Sequence, residues 1–383
     1  MEFELSFRPL SGNFNGYGKE QLGNSIMSYT SGNFPNLAEA DLVFFTVPEN
    51  RNSRSDDEQI SFSTLRNELY NLYEGPDRLR IADLGNLVCG ERIDDTYQLL
   101  ADVLTECEKR GLFALFVGGG QDLTVSQYKS CQQLDKIVNM VSIDFSFDLG
   151  VESQELEPSS FLSSIINTKP NVLFNYTNIG YQTYLNSQSS IKLIDDLFFE
   201  AIRLGKIRED IEEIEPTLRD ADFVTLDLSS IKSSDSPANP LALPNGFSSE
   251  EICQIIRYAG ISSRLTSLGI YHYDPTLDSE LRTTKLLAQI MWCFFDGFFH
   301  KLKQFKPTDS DMVTYHVSLR NGEYYSSFYK NKVTQKWWMQ IPVLSASKPE
   351  ESGLFVPCSY KDYLLASQGE VPERWWKAFQ KIN

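Results

Sequence analysis

The chain has 383 residues, enough to bury a substantial core in one large domain or one domain with an appendage. Aromatic residues make up 13%, with 25 Phe and 18 Tyr, which excludes a disordered or solvating polymer. A formal net charge of −17 argues against a nucleic-acid partner or an anionic membrane surface, since both call for clustered Lys and Arg.

The opening stretch MEFELSFRPLSG has no basic segment followed by an apolar one, so no secretory signal is expected. From about residue 40 to 300, short apolar runs alternate with amphipathic segments. Strands are expected at 42–47, 79–82, 112–117, 137–143, 171–174, 223–228 and 265–270. In IDDTYQLLADVLTECEKRG, residues Leu99, Leu100, Val103, Leu104 and Cys107 share one helical face, and Gly111 ends the helix. In SSIKLIDDLFFEAIRLG the same spacing, at Ile194, Leu197, Phe198, Ala201 and Ile202, predicts a second helix. Ser248 and Ser249 cap a third, which begins with Glu251 and Ile252 in its first turn. The apolar helix near 286–299 is too short to span a bilayer and contains Asp296.

Strand–helix alternation of this kind predicts a mainly parallel sheet with helices on both faces, a three-layer α/β/α fold. Sites in such sheets form beyond the carboxyl ends of the strands. GGGQD at 118–122 falls at one such end, Asp144 and Asp148 at a second, and Asp227 at a third. Two carboxylates just past a buried strand suggest a metal, yet the residues between them are Phe145, Ser146 and Phe147, and the chain holds only three histidines. The run Gly118–Gly119–Gly120 lacks the spacing of a phosphate loop, and its expected role is backbone freedom at a tight turn.

The pattern changes near residue 300. KPTDSD at 306–311 reads as a polar linker, and VTYHVSLRNGEYYSSFYKN as a hairpin around Asn321–Gly322. WWMQIPV at 337–343 offers a third strand, SASKPEESG a loop, and the tail two short helices, the second starting after Pro372. Residues 1–305 are thus expected to form one domain, with an aromatic-rich appendage at 306–383 packed on it. Neighbouring side chains in a strand point to opposite faces, so one of Trp337 and Trp338 is expected outside the local core. With Trp375 and Trp376, they are expected either to pack the appendage onto the domain or to mark a surface for a protein partner or a second subunit, the first being preferred. The six cysteines form no C-x-x-C pair and read as free thiols of a cytoplasmic protein, with Cys131 and Cys253 as core residues.

Several blocks between about residues 40 and 300 resemble the ureohydrolases: arginase, agmatinase and, most closely, formimidoylglutamase. FTVPENRNS at 45–53 is similar to an opening strand and loop, and RIADLGNL at 80–87 to a strand-to-loop segment of the group. FVGGGQDLT stands where that family has Gly-Gly-Asp-His, and SIDFSFD where it has Asp-Ala-His-x-Asp. TLDLSSIKSSDSPANPLALPNGFSSEE stands for Ser-x-Asp-x-Asp and its following loop. LGIYHYDPTLDSELRTTKLLAQIM resembles a late strand, a Glu-x-Asn-Pro turn and a helix. The resemblance implies an arginase-like fold and two manganese ions, held by two His and four Asp, that activate a hydroxide to attack an amidine or guanidine carbon.

Carried over residue by residue, it implies metal-ligand positions at Asp144, Asp148 and Asp227, where the carboxylates are retained. Both histidine positions are changed, to Gln121 and Ser146, and one aspartate position is Ser229. The substrate-binding Glu of the late turn is His272. Neutral oxygens are weak manganese ligands, and three carboxylates do not balance two divalent ions as four do. No cofactor is therefore expected, or a single Mg, Ca or Mn ion in place of two Mn. His272 is expected either to compensate the carboxylates' charge or to spend its nitrogens on backbone groups, the second being preferred. Two functions follow. One is a pseudoenzyme with a binding, scaffold or regulatory role. The other is an active hydrolase of linear amidine C–N bonds with a remodelled site, using Asp148 and His272.

Overall fold

The computed structural model describes residues 3–12, 14, 16–53, 62–75, 79–150, 156–301, 306–344 and 353–383. Strands β1 (Phe7–Arg8), β2 (Met27–Ser28), β3 (Leu42–Val47), β4 (Ile81–Leu87), β5 (Phe113–Gly118), β6 (Val138–Ile143), β7 (Leu173–Tyr181), β8 (Glu200–Arg203), β9 (Phe223–Asp227) and β10 (Ser267–Tyr271) form one sheet. Their order is β1-β4-β3-β5-β10-β9-β6-β7-β8, with β2 also paired to β4. All pairings are parallel except β1 with β4.

The central strands are apolar runs because both sheet faces are covered. Every residue of β3, β5, β6, β9 and β10 is buried. Alternation then sorts their side chains between two cores. Leu42 and Phe44 face the helices Ser63–Tyr70, Ser249–Gly260 and Arg282–Phe299, while Val43 and Phe45 face Ile93–Lys109. Helix Ile93–Lys109 turns Leu100, Val103, Leu104 and Cys107 inward, as its spacing predicts. Ser248 caps Ser249–Gly260 by accepting from the Glu251 amide. Asp296 does not break helix Arg282–Phe299; its carboxylate meets Arg257 at 2.5 Å. No helix among the described residues is long and apolar enough to cross a membrane.

Two segments differ from expectation. The predicted helix over 189–205 stops at Asp196; Phe198 takes a left-handed backbone (φ 57°), and Glu200–Arg203 becomes edge strand β8 against β7. Its apolar spacing suits a helix, but the open edge of β7 offers ladder hydrogen bonds that a helix would leave unmade. Strand β7 itself runs from Leu173 to Tyr181, well past 174, because Asn175, Thr177 and Asn178 interrupt the apolar signal without interrupting the strand.

After residue 306, β11 (Met312–Leu319), β12 (Tyr324–Asn331), β13 (Trp337–Pro342) and β14 (Gly353–Cys358) form a separate antiparallel sheet in chain order. Leu319 pairs with Tyr324, so the first hairpin closes over residues 320–323 and not over a two-residue turn. Strand β14 was not expected, and most of the loop read as SASKPEESG lies outside the described residues. Helices Tyr360–Ser367 and Glu373–Ile382 follow.

Trp337 and Trp338 do face opposite ways. Trp337 stacks on Tyr363 (4.7 Å between centroids) within the appendage. Trp338 points to the first sheet's layer, where the Arg219 guanidinium lies 4.4 Å over its ring. Both tryptophans are buried, so the ring outside the local core is covered by this same chain. Trp375 is fully buried and donates to Ser326 Oγ (3.1 Å), and Arg320 lies over Trp376.

Candidate functional site

The carboxyl ends of β5, β6, β9 and β10 open into a cavity of about 890 Å³. Gln121, Ser146, Asp148, Asp227 and His272 line it, and Asp144 and Ser229 lie buried beneath. The residues singled out from three separate strand ends are therefore brought together, because neighbouring parallel strands end on the same side.

Asp144 ends β6, fully buried. Its Oδ1 accepts from the Ser146 amide (3.1 Å), and its side chain is hydrogen-bonded to Asp148. Burial, then the charges of Asp148 and Asp227, hold the Asp144 carboxyl well above the usual carboxylate range. Burial also pushes Asp148 up, to about 6, against the hydrogen bonds it accepts from Asp144 and Ser146 Oγ (2.6 Å). Both shifts favour a proton shared within the Asp144–Asp148 pair. Asp144 Oδ2 is buried with no hydrogen-bond partner among the described residues.

Asp227 ends β9 and caps the turn that follows, its Oδ1 accepting from the Ser229 amide at 2.7 Å. Its Oδ2 lies 2.7 Å from His272 Nδ1. His272 sits just past β10 in a left-handed conformation (φ 58°), fixed by its amide donating to Gly119 O at 2.7 Å. Burial pushes the imidazole pKa down, but the Asp227 charge and hydrogen bond, with Asp122 and Asp148, outweigh it and raise the pKa. The expectation that its ring nitrogens go to backbone groups is corrected: the carboxylate takes Nδ1, and only the amide serves the turn.

Gln121 donates through Nε2 to Ser142 Oγ (3.4 Å) and Thr225 Oγ1 (3.3 Å). Its Oε1 and Ser229 Oγ are buried with no hydrogen-bond partner among the described residues. The glycine run before it works differently from expectation. None of Gly118, Gly119 or Gly120 has a positive φ; a Cβ on Gly119 would stand 1.9 Å from Glu49 O. Close approach of two loops, not backbone freedom, demands the glycine there.

Sequence reasoning missed a layer behind these residues. Asp122 is buried, accepts from Tyr97 OH and from Asn52 Nδ2 (3.3 Å), and is raised by burial. Glu49 ties Arg51 Nε (2.8 Å) and Thr96 Oγ1 (2.9 Å) together at the rim. The one available signal was the acid directly after Gln121.

The donor set does not fit a pair of divalent transition ions. Besides three carboxylates it offers an amide and two hydroxyls, and its one imidazole is bonded to Asp227. Among the described residues, no group of three His, Cys, Asp or Glu is placed to hold a metal ion.

A family model described as the arginase family matches residues 50–296. Formimidoylglutamase of Staphylococcus carnosus (strain TM300) is 24% identical over 262 residues, covering 62% of this chain and 82% of the relative. That of Legionella pneumophila (strain Paris) is 24% identical over 222 residues, covering 55% and 69%. Among solved structures, formimidoylglutamase from Bacillus subtilis aligns with a TM-score of 0.65 at 17% identity, covering 77% of this chain and 97% of that one. Trypanosoma cruzi formiminoglutamase, solved with Mn2+, gives 0.65 at 15% identity and covers 74% and 99%.

Proposed function

This chain belongs to the arginase family, and on that premise we propose that it is a pseudoenzyme, a formimidoylglutamase-like fold that binds without hydrolysing. The observation that carries this reading is the contact between His272 and Asp227, 2.7 Å long and almost wholly buried. Buried carboxylates need a counter-charge, which a metal supplies in a metalloenzyme. Here the chain supplies it. The three carboxylates carry less than their full charge, because burial and repulsion favour a proton on Asp144 and the Asp227 charge favours one on His272. A cluster so neutralised has little pull on divalent cations, and without them water stays un-ionised near neutral pH. The cavity remains open, with Gln121, Ser146, Asp148 and Arg51 on its walls, and suits a small polar ligand.

The test is titration calorimetry with Mn²⁺ beside assays for urea or formamide release from arginine, agmatine and N-formimidoylglutamate. The native protein should give no manganese heat and no release. The variant Gln121→His/Ser146→His/Ser229→Asp/His272→Glu should gain manganese binding, which shows the assay can see it. Release by the native protein that Asp144→Asn abolishes would instead establish the hydrolase.

A further inference from the structure

A second cavity, of about 360 Å³, lies far from the first, at the opposite ends of the strands. Its floor is the start of β6 and β7, one wall is helix Glu215–Asp220, and the other is built by β14 and helix Glu373–Ile382 of the appendage. It therefore exists only because the second sheet sits against the first. Ile137, Phe174, Phe198, Phe355, Val356 and Ile382 make most of it apolar. Two of these cost the fold something. Ile137 is 71% exposed at the rim, and Phe198 holds its ring there from a left-handed backbone that a bulky side chain disfavours.

The polar lining is unevenly paired. Arg264 meets Asp222 at 2.9 Å and Asp220 at 3.4 Å, and Arg374 meets Asp362 at 2.5 Å. Those two cations are neutralised, although Arg374 Nε is buried with no hydrogen-bond partner among the described residues. Among the described residues Lys377 pairs with Glu373, whose side chain is 81% exposed. Lys381 hydrogen-bonds the neutral Asn175, and its charge lies 5.6 Å from the Phe174 ring centre and 5.2 Å from that of Phe199. Glu200 pulls on it through space but is itself hydrogen-bonded by Thr177 Oγ1 (3.3 Å). Burial accordingly depresses the lysine, to about 8. Four cations, Arg264, Arg374, Lys377 and Lys381, and two carboxylates, Glu200 and Asp220, line this mostly apolar pocket, and both carboxylates act on Lys381 through space.

We propose that this cavity binds an amphipathic monocarboxylate, its carboxylate on Lys381 and its apolar body among Phe174, Phe198, Phe355 and Val356. A phosphate dianion fits less well, because both guanidiniums among the described lining residues, Arg264 and Arg374, are already paired with carboxylates. A neutral apolar molecule would leave Lys381 desolvated, with Asn175 as its hydrogen-bond partner and no carboxylate bonded to it among the described residues. A cationic amphiphile would be repelled.

Calorimetry on the full chain at pH 7, with octanoate, octanol and octylamine as probes, tests this. Octanoate should bind one to one, with octanol and octylamine weaker by about tenfold or more. Lys381→Met should weaken octanoate by about tenfold, while Lys381→Arg keeps it within about threefold. Ile137→Glu, a change on an exposed side chain that leaves folding intact, should also weaken octanoate, and Ile137→Lys should strengthen it. Failure of octanoate to bind, equal binding of octanol, or octanoate binding indifferent to both Lys381→Met and Ile137→Glu would overturn the proposal.

Discussion

At the scale of single residues, counter-charge decides most outcomes. His272→Gln keeps a hydrogen-bonding side chain but removes the imidazole whose pKa Asp227 raises, leaving that carboxylate buried without its titratable partner. Breaking a buried pair by removing one partner costs about 3–5 kcal/mol, so the variant should unfold at clearly lower urea concentration than the native chain. Arg66 and Asp83 form another such pair, 2.7 Å apart and essentially unexposed, with Tyr70 OH donating to the same carboxylate at 2.8 Å. Arg66→Met should lose stability by a comparable amount, about 3–5 kcal/mol in a urea titration. Lys381 works in the other direction. Its folded pKa is about 8, below the ordinary 10.5, so the unfolded chain holds its proton more tightly. Stability should therefore rise as pH climbs from about 8 towards 10.5, and Lys381→Met should remove that rise. Melting temperatures across this range measure it.

At the scale of elements, what the sequence reveals depends on which forces leave a local trace. Strands β3, β5, β6, β9 and β10 were legible because burial on both faces writes a continuous apolar run. Strand β8 was not, because an edge position is chosen by a free neighbour distant in sequence. The glycines after β5 were visible as residues, but their reason was not: the Glu49 carbonyl that crowds Gly119 comes from another loop. Gly119→Ala should accordingly cost about 1–3 kcal/mol through overpacking, read as a fall in denaturation midpoint. The candidate site shows the same divide. Asp144, Asp148 and Asp227 stood out as carboxylates at strand ends, and Gln121, Ser146 and Ser229 through family resemblance. The pairing of His272 with Asp227 spans 45 residues, and no local pattern encodes it.

At the scale of the whole molecule, two sheets share one joint. Arg219 lies over Trp338, donates to Trp337 O (3.1 Å) and Cys358 O (3.4 Å), and pairs with Glu215 at 3.0 Å. One guanidinium thus binds helix Glu215–Asp220 to β13 and β14. Trp338→Ala removes a buried ring worth about 3–5 kcal/mol. Fluorescence of the remaining tryptophans, four of the five in the chain, should then show the second sheet melting ahead of the first, where the native protein melts in one step.

The imidazole against Asp227 has a physiological consequence as well. On the proposed reading the imidazole stands in for a metal, and the protein matures without waiting for an ion to be delivered. Its abundance should be indifferent to how much manganese the cell has taken up, whereas a relative built around that metal must share in every shortage.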